Sequence, residues 1–229
     1  MDPISKFAWK FSVNARRKRA ELFRSRFNID QRARILDLGS ENGSNIHNVL
    51  QDTNFKAENI YIADIDRAAI EEGQRTYGFN PVFITEGDPL PFPDRFFDIV
   101  YCSSVIEHTT IPKTDMWNIR DQRQFEKLAW KKQKMFAGEI VRLGKQYFVQ
   151  TPSKTFPIES HTWLPFVGYL PRQYFLPILR LSNKLWVKKA HPDFNLLGKK
   201  EMQALFPYAK IVEEKKWGLT KSVMAINTK

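Results

Sequence analysis

The chain has 229 residues, enough for one α/β domain with added segments and a sizeable buried core. Hydrophobic residues make up 42% of the sequence and charged residues 27%, as in a globular protein. The single cysteine, Cys102, excludes an internal disulfide, so a reducing cytoplasm is the expected location. Lys6 and Lys10 interrupt the first apolar residues, and no apolar run reaches the ~18 residues of a membrane span. We therefore expect no signal peptide, and a cytoplasmic protein that is either free or peripheral at a membrane.

The net charge of +11 has two interpretations. It can attract anionic partners such as RNA, phospholipid head groups or phosphorylated substrates, or it can serve solubility alone. Part of it lies in residues 1–28, which predict a basic amphipathic helix. The charges of that helix come from Lys6, Lys10, Arg16, Arg17, Lys18, Arg19, Arg24 and Arg26, and its apolar residues include Phe7, Phe11, Leu22, Phe23 and Phe27.

Strands and helices are predicted to alternate after this helix. Short apolar runs with the character of buried parallel strands lie at 34–38, 59–63, 81–85, 97–102 and 147–150. Helices are predicted at 43–50, after Asp66 as N-cap, and at 121–143. A last helix at 199–206 precedes two strands, at 210–214 and 222–227. This alternation predicts an α/β fold with a doubly wound, mainly parallel sheet of seven strands.

The alternation stops at residues 151–198, where prolines and aromatic residues recur. A connection of this length inside a compact domain is usually a lid or a binding element, so we expect it to contribute to a substrate pocket. The predicted organisation is a single domain with four parts: the basic helix at 1–28, a ligand-binding core at 33–150, the aromatic insertion at 151–198, and a final helix and strands at 199–229.

Three predicted strands end in residues suited to a nucleotide-like ligand. In an open parallel sheet, ligands bind beyond the carboxyl ends of the strands. The first strand leads into a turn that runs from Asp37 to Gly43, where glycines allow close backbone approach and a helix begins. Asp64 follows the second strand, where a carboxylate can accept both ribose hydroxyls. Asp88 follows the third strand and could accept from an adenine amino group.

The order of these residues, followed by the segments 90–92, 97–98 and 103–108, resembles that of class I S-adenosylmethionine-dependent methyltransferases. The resemblance covers roughly residues 33–151 and implies a Rossmann-like methyltransferase fold with bound S-adenosylmethionine. It places Gly39 and Gly43 beside the amino-acid moiety of the cofactor, Asp64 on the ribose and Asp88 on the adenine. The predicted cofactor-binding set is Asp37, Gly39, Ser40, Gly43, Asp64, Ile65, Gly87, Asp88 and Ser103. Glu41 departs from the pattern, because it occupies the position of the usual middle glycine.

A narrower resemblance concerns the strings at 148–153, 156–161 and 164–166, which are similar to a bacterial methyltransferase subgroup associated with cell-envelope glycan and lipid biosynthesis. That resemblance says little about the acceptor. The cofactor set followed by an aromatic, proline-punctuated insertion favours O-methylation of a small hydrophobic, lipid-linked or glycan-type acceptor. One alternative is an O- or N-methyltransferase of specialised metabolism. Another is a methyltransferase-like RNA-binding or assembly protein, which Glu41 and the basic helix would suit.

Three residues are candidates for acid–base chemistry. His108 lies just past the fourth strand, and an imidazole suits removal of a hydroxyl proton. Glu159 and His161 lie on one side of the chain if their segment is extended, and they could form a base with its orienting partner. Each of the three could instead have a structural role. Glu107 is expected to orient a neighbour or cap a segment, and no cluster in the sequence has metal-ligand spacing, so no metal site is predicted.

The sequence also bears on partners. Residues 103–106 lack the Asn/Asp-Pro-Pro-aromatic element of enzymes that methylate base amino groups, so nucleic acid is the less favoured substrate. Residues 170–189 combine apolar, aromatic and basic side chains, which fits an interfacial membrane helix or a lid helix packed on the core. Pro177 is expected to kink that helix. The oligomeric state is not predicted.

Overall fold

The structure is a computed structural model that describes residues 3–229, with side chains from residue 13 onward. Lys6, Phe7, Lys10 and Phe11 of the predicted amphipathic helix therefore lie outside the described side chains. The helices are α1 (Pro3–Arg26), α2 (Ser44–Leu50), α3 (Arg67–Tyr77), α4 (Gln122–Leu143), α5 (Arg172–Leu185) and α6 (Lys199–Leu205). The strands are β1 (Ile35–Leu38), β2 (Ile60–Asp64), β3 (Asn80–Phe83), β4 (Phe97–Ser103), β5 (Gly144–Pro152), β6 (Lys210–Lys216) and β7 (Leu219–Asn227).

The seven strands have the order β3-β2-β1-β4-β5-β7-β6. β1 pairs in parallel with β2 and β4, and β2 pairs in parallel with β3. β6 and β7 pair antiparallel, so the seven-stranded sheet is mixed: the first four strands are parallel as predicted, and an antiparallel pair is added to them. Only Trp217 and Gly218 separate the two strands, with φ of 51° and 78°. A two-residue turn with both φ positive can join only antiparallel strands.

The chain divides into two compact units. The first unit comprises residues 1–102, 142–148 and 228–229, and the second comprises 103–141 and 149–227. β1, β2, β3 and most of β4 belong to the first unit, and β6 and β7 belong to the second.

In the first unit, buried strands and α1 form the core. All four residues of β1 are buried, as expected of a strand covered on both faces. Phe23 of α1 is fully buried, and its ring packs edge-on against Tyr101 and Phe148 at centroid distances of 5.2 Å and 5.6 Å. Arg24 also donates a 3.0 Å hydrogen bond to the carbonyl of Val49. The C-terminal part of α1 therefore uses its apolar face for packing, while its charges lie at the surface.

In the second unit, the aromatic insertion is ordered around α5. Val167, Phe175, Leu176, Leu179 and Phe194 form a buried apolar cluster within it. α5 contains Pro177 and continues through it. No helix within residues 3–229 is both long enough and apolar enough to cross a membrane.

Candidate functional site

In the first unit, the turn after β1 is held close to the end of β2. The amide groups of Gly39 and Ser40 both donate to the carbonyl of Ala63, at 2.8 Å and 3.2 Å. Gly39 has a φ of 78° and Gly43 a φ of 74°, a left-handed conformation that favours glycine. A Cβ on Gly43 would lie only 2.9 Å from Cγ2 of Ile62, so no side chain fits there. The turn is therefore closely packed at Gly43, and the predicted contact of Gly39 and Gly43 with a cofactor stays a prediction.

Glu41 adopts the backbone conformation that the missing glycine would take. Its φ is 50°, and its side chain is exposed. Its amide donates a 2.8 Å hydrogen bond to Oδ2 of Asp64, and the amide of Asp66 donates to Oδ1 of Asp64 at 3.0 Å. These two bonds fix the carboxylate at the end of β2, and each oxygen keeps lone pairs for another donor. The departure at Glu41 thus leaves the turn intact at a cost of about 1–2 kcal/mol for a non-glycine residue in this conformation.

Asp37 is a buried carboxyl with an unpaired oxygen. Its side chain is 2% exposed, and Oδ2 has no hydrogen-bond partner. Burial raises the pKa of Asp37 well above its usual range, and the nearby carboxylates of Asp64 and Glu41 raise it further. The carboxyl groups of Asp37, Asp64 and Glu41 therefore lie close enough to interact, which makes this region complementary to a positively charged ligand.

The remaining predicted cofactor residues have more open surroundings. Ile65 is exposed at the end of β2. Gly87 has a φ of 93° and lies with Asp88 in the exposed loop after β3, where the amide of Asp88 donates to the carbonyl of Thr85 at 3.2 Å. Asp64, Ile65, Gly87 and Asp88 all follow the carboxyl ends of parallel strands, where ligands of such sheets bind.

Ser103 belongs to the second unit, where it is part of a hydrogen-bond chain. Its hydroxyl donates to Oε1 of Gln150 at 2.7 Å, and Nε2 of Gln150 donates to the hydroxyl of Ser222 at 2.7 Å. The next residue, Ser104, has a φ of 61°. A left-handed serine directly after a strand is strained, and such strain is common beside functional sites.

Glu159 and His161 form a hydrogen-bonded pair in the second unit. Nδ1 of His161 lies 2.7 Å from Oε1 of Glu159. The sequence predicted this pair on the assumption of an extended segment, and that assumption is wrong. The two residues lie in a turn, in which the amides of His161 and Thr162 donate to the Glu159 carboxylate at 2.8 Å and 2.7 Å. Because a carboxylate only accepts, Nδ1 of His161 carries the proton of this bond, and in the neutral imidazole Nε2 then presents a lone pair.

His108 has a carboxylate partner, Asp193, that the sequence did not predict. Its Nδ1 lies 3.3 Å from Oδ1 of Asp193. The ring of His108 packs edge-on against the ring of His161 at a centroid distance of 4.7 Å, and Phe194 stacks on His161 at 4.3 Å. Each of the two imidazoles is therefore oriented by its own carboxylate.

Glu107 completes this cluster from a fully buried position. Thr151 donates to its Oε2 at 3.0 Å, whereas its Oε1 has no hydrogen-bond partner and lies 3.9 Å from Nε2 of His161. Burial raises the pKa of Glu107, although the two histidines oppose the shift. We call Glu107, His108, Glu159, His161 and Asp193 the histidine–carboxylate cluster.

The protonation of the other members follows from their partners. For His108, burial disfavours the charged form, but Asp193 and the charge of Glu107 outweigh it and raise the pKa. Burial likewise opposes ionisation of Glu159, yet its hydrogen bonds with His161 and Thr162 lower the pKa of that carboxyl.

A cavity of about 330 Å³ adjoins the cluster within the second unit. Its lining residues are Lys113, Met116, Trp117, His191 and Asp193. Asp193 belongs both to this lining and to the cluster through His108. The volume falls in the range of small-molecule sites, and the mixture of apolar and charged residues suits a ligand with both an apolar body and polar groups.

Comparison with known proteins bears on the cofactor half of the chain. Residues 35–119 match the family described as Methyltransferase domain. A search of curated protein sequences found no match.

Three solved structures illustrate the similarity of fold. A magnesium protoporphyrin IX methyltransferase from Synechocystis, with bound S-adenosylhomocysteine, is 14% identical over 99% of this chain and 88% of its own, with a TM-score of 0.54. A Haloferax volcanii methyltransferase in complex with the Trm112 activator is 12% identical over 100% and 99%, with a TM-score of 0.53. A Galdieria sulphuraria protein assigned as a sarcosine dimethylglycine methyltransferase is 13% identical over 95% and 85%, with a TM-score of 0.54.

The domain match supports a methyltransferase that uses S-adenosylmethionine, and the solved structures show that the fold is Rossmann-like. The first unit fits it chemically. The cofactor carries a sulfonium and an ammonium group, which complement the unpaired oxygen of Asp37 and the neighbouring carboxylates. The ribose hydroxyls of the cofactor could donate to the carboxylate of Asp64, whose oxygens already accept from the amides of Glu41 and Asp66.

Proposed function

We propose that the protein transfers a methyl group from S-adenosylmethionine to the hydroxyl of a small hydrophobic, lipid-linked or glycan-type acceptor. The cofactor would be held by the predicted set, with Asp37, Gly39, Gly43 and Asp64 as its main contacts. When bound, S-adenosylmethionine supplies an electrophilic methyl group. The observation that carries the choice of an oxygen acceptor is the pair of imidazoles, each oriented by a carboxylate and one of them adjoining a cavity through Asp193.

An oxygen acceptor requires loss of the hydroxyl proton as the methyl group is transferred. Glu159 holds the proton of His161 on Nδ1, so Nε2 of His161 is the nitrogen able to accept a proton. Asp193 orients His108 in the same way. His108, Glu159 and His161 are therefore the proposed acid–base residues, with Glu159 acting as the positioning partner.

The exposed face of α5 supports a lipid-linked acceptor. Tyr174, Ile178, Leu181 and Leu185 follow each other at helical spacing, and all four are exposed. Basic residues accompany this stripe, which favours an anionic lipid surface over a neutral one. We propose that this stripe gives the protein peripheral contact with a membrane.

We assign the four parts of the chain accordingly. Residues 1–28 are an accessory helix, 33–150 hold the cofactor, 151–198 select the acceptor, and 199–229 complete the fold. On this assignment, a change in the insertion alters acceptor choice without altering cofactor affinity.

Incubation with methyl-labelled S-adenosylmethionine tests the proposal. The purified protein would be offered bacterial envelope lipids, envelope saccharides, a small-metabolite extract and total RNA in separate reactions, and labelled products would be analysed by mass spectrometry. We expect an O-methylated lipid or saccharide. Label found only in RNA, or only on nitrogen, would contradict the acceptor assignment.

Matched variants separate cofactor binding from proton removal. Asp64→Ala should abolish both labelling and S-adenosylhomocysteine binding measured by calorimetry. His161→Gln should lower kcat about 10²–10⁴-fold while leaving S-adenosylhomocysteine affinity within about twofold. His47 belongs to the first unit and stacks on Tyr77, so His47→Gln is the control. It should lower kcat far less than His161→Gln does and should leave S-adenosylhomocysteine affinity unchanged. If His47→Gln and His161→Gln had the same kcat, the proposed acid–base role of His161 would be wrong.

Vesicle sedimentation tests the membrane contact. The protein should sediment with vesicles that contain anionic phospholipid and remain in solution with purely zwitterionic vesicles. A Leu181→Gln/Leu185→Gln double variant should lose sedimentation, whereas Tyr208→Ser, a similarly exposed position on the loop before β6, should retain it. Equal sedimentation of both variants would rule out α5 as the contact.

A further inference from the structure

We propose that Glu107, His108 and His161 form a binding site for one divalent transition-metal ion. Glu107 and His108 are adjacent in the sequence, His161 lies more than fifty residues further on, and none belongs to a motif with metal-ligand spacing. In the folded second unit, one ligand atom from each lies within 4.8 Å of the other two. Metal binding can be measured without methyl transfer, so the inference goes beyond the proposed function.

The tautomers of the imidazoles point to a cation between them. Nδ1 of His161 is occupied by its hydrogen bond with Glu159, so the lone pair of Nε2 points toward the cluster. That nitrogen lies 3.9 Å from Oε1 of Glu107, which is also an acceptor. When the imidazole is neutral and the carboxylate is ionised, both atoms are acceptors and repel each other, and a cation between them would reverse the interaction.

The unpaired oxygen of Glu107 is the second, independent observation. Glu107 is fully buried, and a buried polar atom without a partner costs about 1–3 kcal/mol. The other oxygen of the same carboxylate is satisfied by Thr151, which fixes the side chain with Oε1 toward His161. A metal ion would supply the missing partner.

The neighbours of the cluster have the arrangement typical of metal centres. Histidines that bind a metal commonly donate their second N–H to a carboxylate, which sets the tautomer and the ring orientation. Glu159 does so for His161, and Asp193 is placed to do so for His108. Phe194, stacked on His161, shields one side of the cluster from water.

The donor set indicates which ions would bind. Two imidazoles with one carboxylate suit Zn²⁺, Co²⁺ or Mn²⁺, whereas Mg²⁺ and Ca²⁺ prefer oxygen ligands. Bonds of ~2.1 Å would bring the three donors to ~3–3.5 Å from one another, so binding would contract the cluster. Three protein ligands leave a coordination position open.

An open position would suit an acceptor hydroxyl. A hydroxyl bound to such an ion loses its proton more readily, because the ion stabilises the alkoxide. The ion would then occupy the lone pair of His161 Nε2, and proton loss would depend on the metal instead of on the free imidazole. This consequence rests on the proposed function; the metal site itself does not.

Direct metal binding tests the proposal. Protein purified without a polyhistidine tag and treated with chelator would be titrated with Co²⁺ alone and with Zn²⁺ alone, in the absence of cofactor and acceptor. We expect one equivalent per chain, visible Co²⁺ absorption bands typical of low coordination number, displacement by Zn²⁺ and no displacement by millimolar Mg²⁺. Absence of saturable binding of either ion would overturn the site.

Variants locate the ion. Glu107→Gln and His161→Gln should each weaken Zn²⁺ binding at least about 100-fold, and Glu159→Gln should weaken it about 10–100-fold through loss of the positioning carboxylate. His47→Gln should leave affinity unchanged. S-adenosylhomocysteine binding, measured on every variant, reports on folding and on the cofactor site. Zn²⁺ affinity that is equal in the wild-type protein, Glu107→Gln and His161→Gln would refute the proposal, and it would do so even if methyl transfer were demonstrated.

Discussion

Replacement of Gly43 by alanine would test how tightly the cofactor turn is built. Gly43 has a φ of 74°, and its added Cβ would lie 2.9 Å from Cγ2 of Ile62 and 3.2 Å from the ring of Phe79. Two separate penalties are therefore expected: one from the backbone conformation and one from crowding. Gly78 provides the matched control, because its φ is 72° but the nearest atom to an added Cβ is 3.8 Å away.

The magnitudes follow from these contacts. The left-handed backbone costs a non-glycine residue about 1–2 kcal/mol, and it acts on both variants. Crowding in a packed core costs about 1–3 kcal/mol, and it acts on Gly43→Ala alone. Alanine restricts the unfolded chain more than glycine does, which stabilises both variants by the same amount. This contribution therefore cancels when the two variants are compared. Gly43→Ala should therefore be less stable than Gly78→Ala by about 1–3 kcal/mol, a difference of roughly 2–12 °C in Tm for a chain of this size.

Urea and thermal unfolding of the cofactor-free proteins measure this difference. Unfolding would be followed by circular dichroism at fixed protein concentration, with the wild type, Gly43→Ala and Gly78→Ala side by side. If the two variants proved equally stable, the contact of Gly43 with Ile62 and Phe79 would not be a tight one, and the reasoning from crowding would fail.

Two further predictions concern buried charges. Asp37→Asn should raise the Tm of the cofactor-free protein at pH 7 and reduce the additional rise on S-adenosylhomocysteine binding, as thermal unfolding would show. Because the pKa of Asp37 is raised on folding, its ionisation opposes folding at pH values above about 4, and increasingly so up to its folded pKa. The stability gained by Asp37→Asn should therefore shrink as the pH falls toward 4. A gain that grows with acidity would contradict this reasoning. Arg172 is buried, its pKa is lowered to about 10, and it donates to the carbonyls of Met116, Ile119 and Pro192. Arg172→Met leaves two buried acceptors and one half-buried acceptor unpaired, and it should lower the free energy of unfolding by about 2–6 kcal/mol in urea unfolding. Arg172→Lys should recover part of the loss, and an unchanged stability would show that water satisfies those carbonyls.

Much of the cofactor half could be predicted from the sequence because its signals are local. The apolar run before Asp37 and the glycines that follow it define a strand and a tight turn within ten residues. The N-cap at Asp66 was predicted from residue type alone and is confirmed by its 3.1 Å hydrogen bond from the amide of Ala69. The antiparallel hairpin was missed, although Trp217 and Gly218 carried a local turn signal.

The second unit shows what only the tertiary structure decides. His108 and Glu107 are next to each other in the sequence, but their partners Asp193 and His161 come from the insertion, and no spacing rule connects them. Glu159 and His161 were paired correctly for a reason that the structure corrects, since a turn and not a strand brings them together. The sequence alone thus determined the first strands, the turn after β1 and the N-cap at Asp66, because those depend on short-range geometry; binding of the methyl donor by that turn stays a prediction. The fold decided the histidine–carboxylate cluster, because burial and the choice of hydrogen-bond partner are fixed only when distant segments pack.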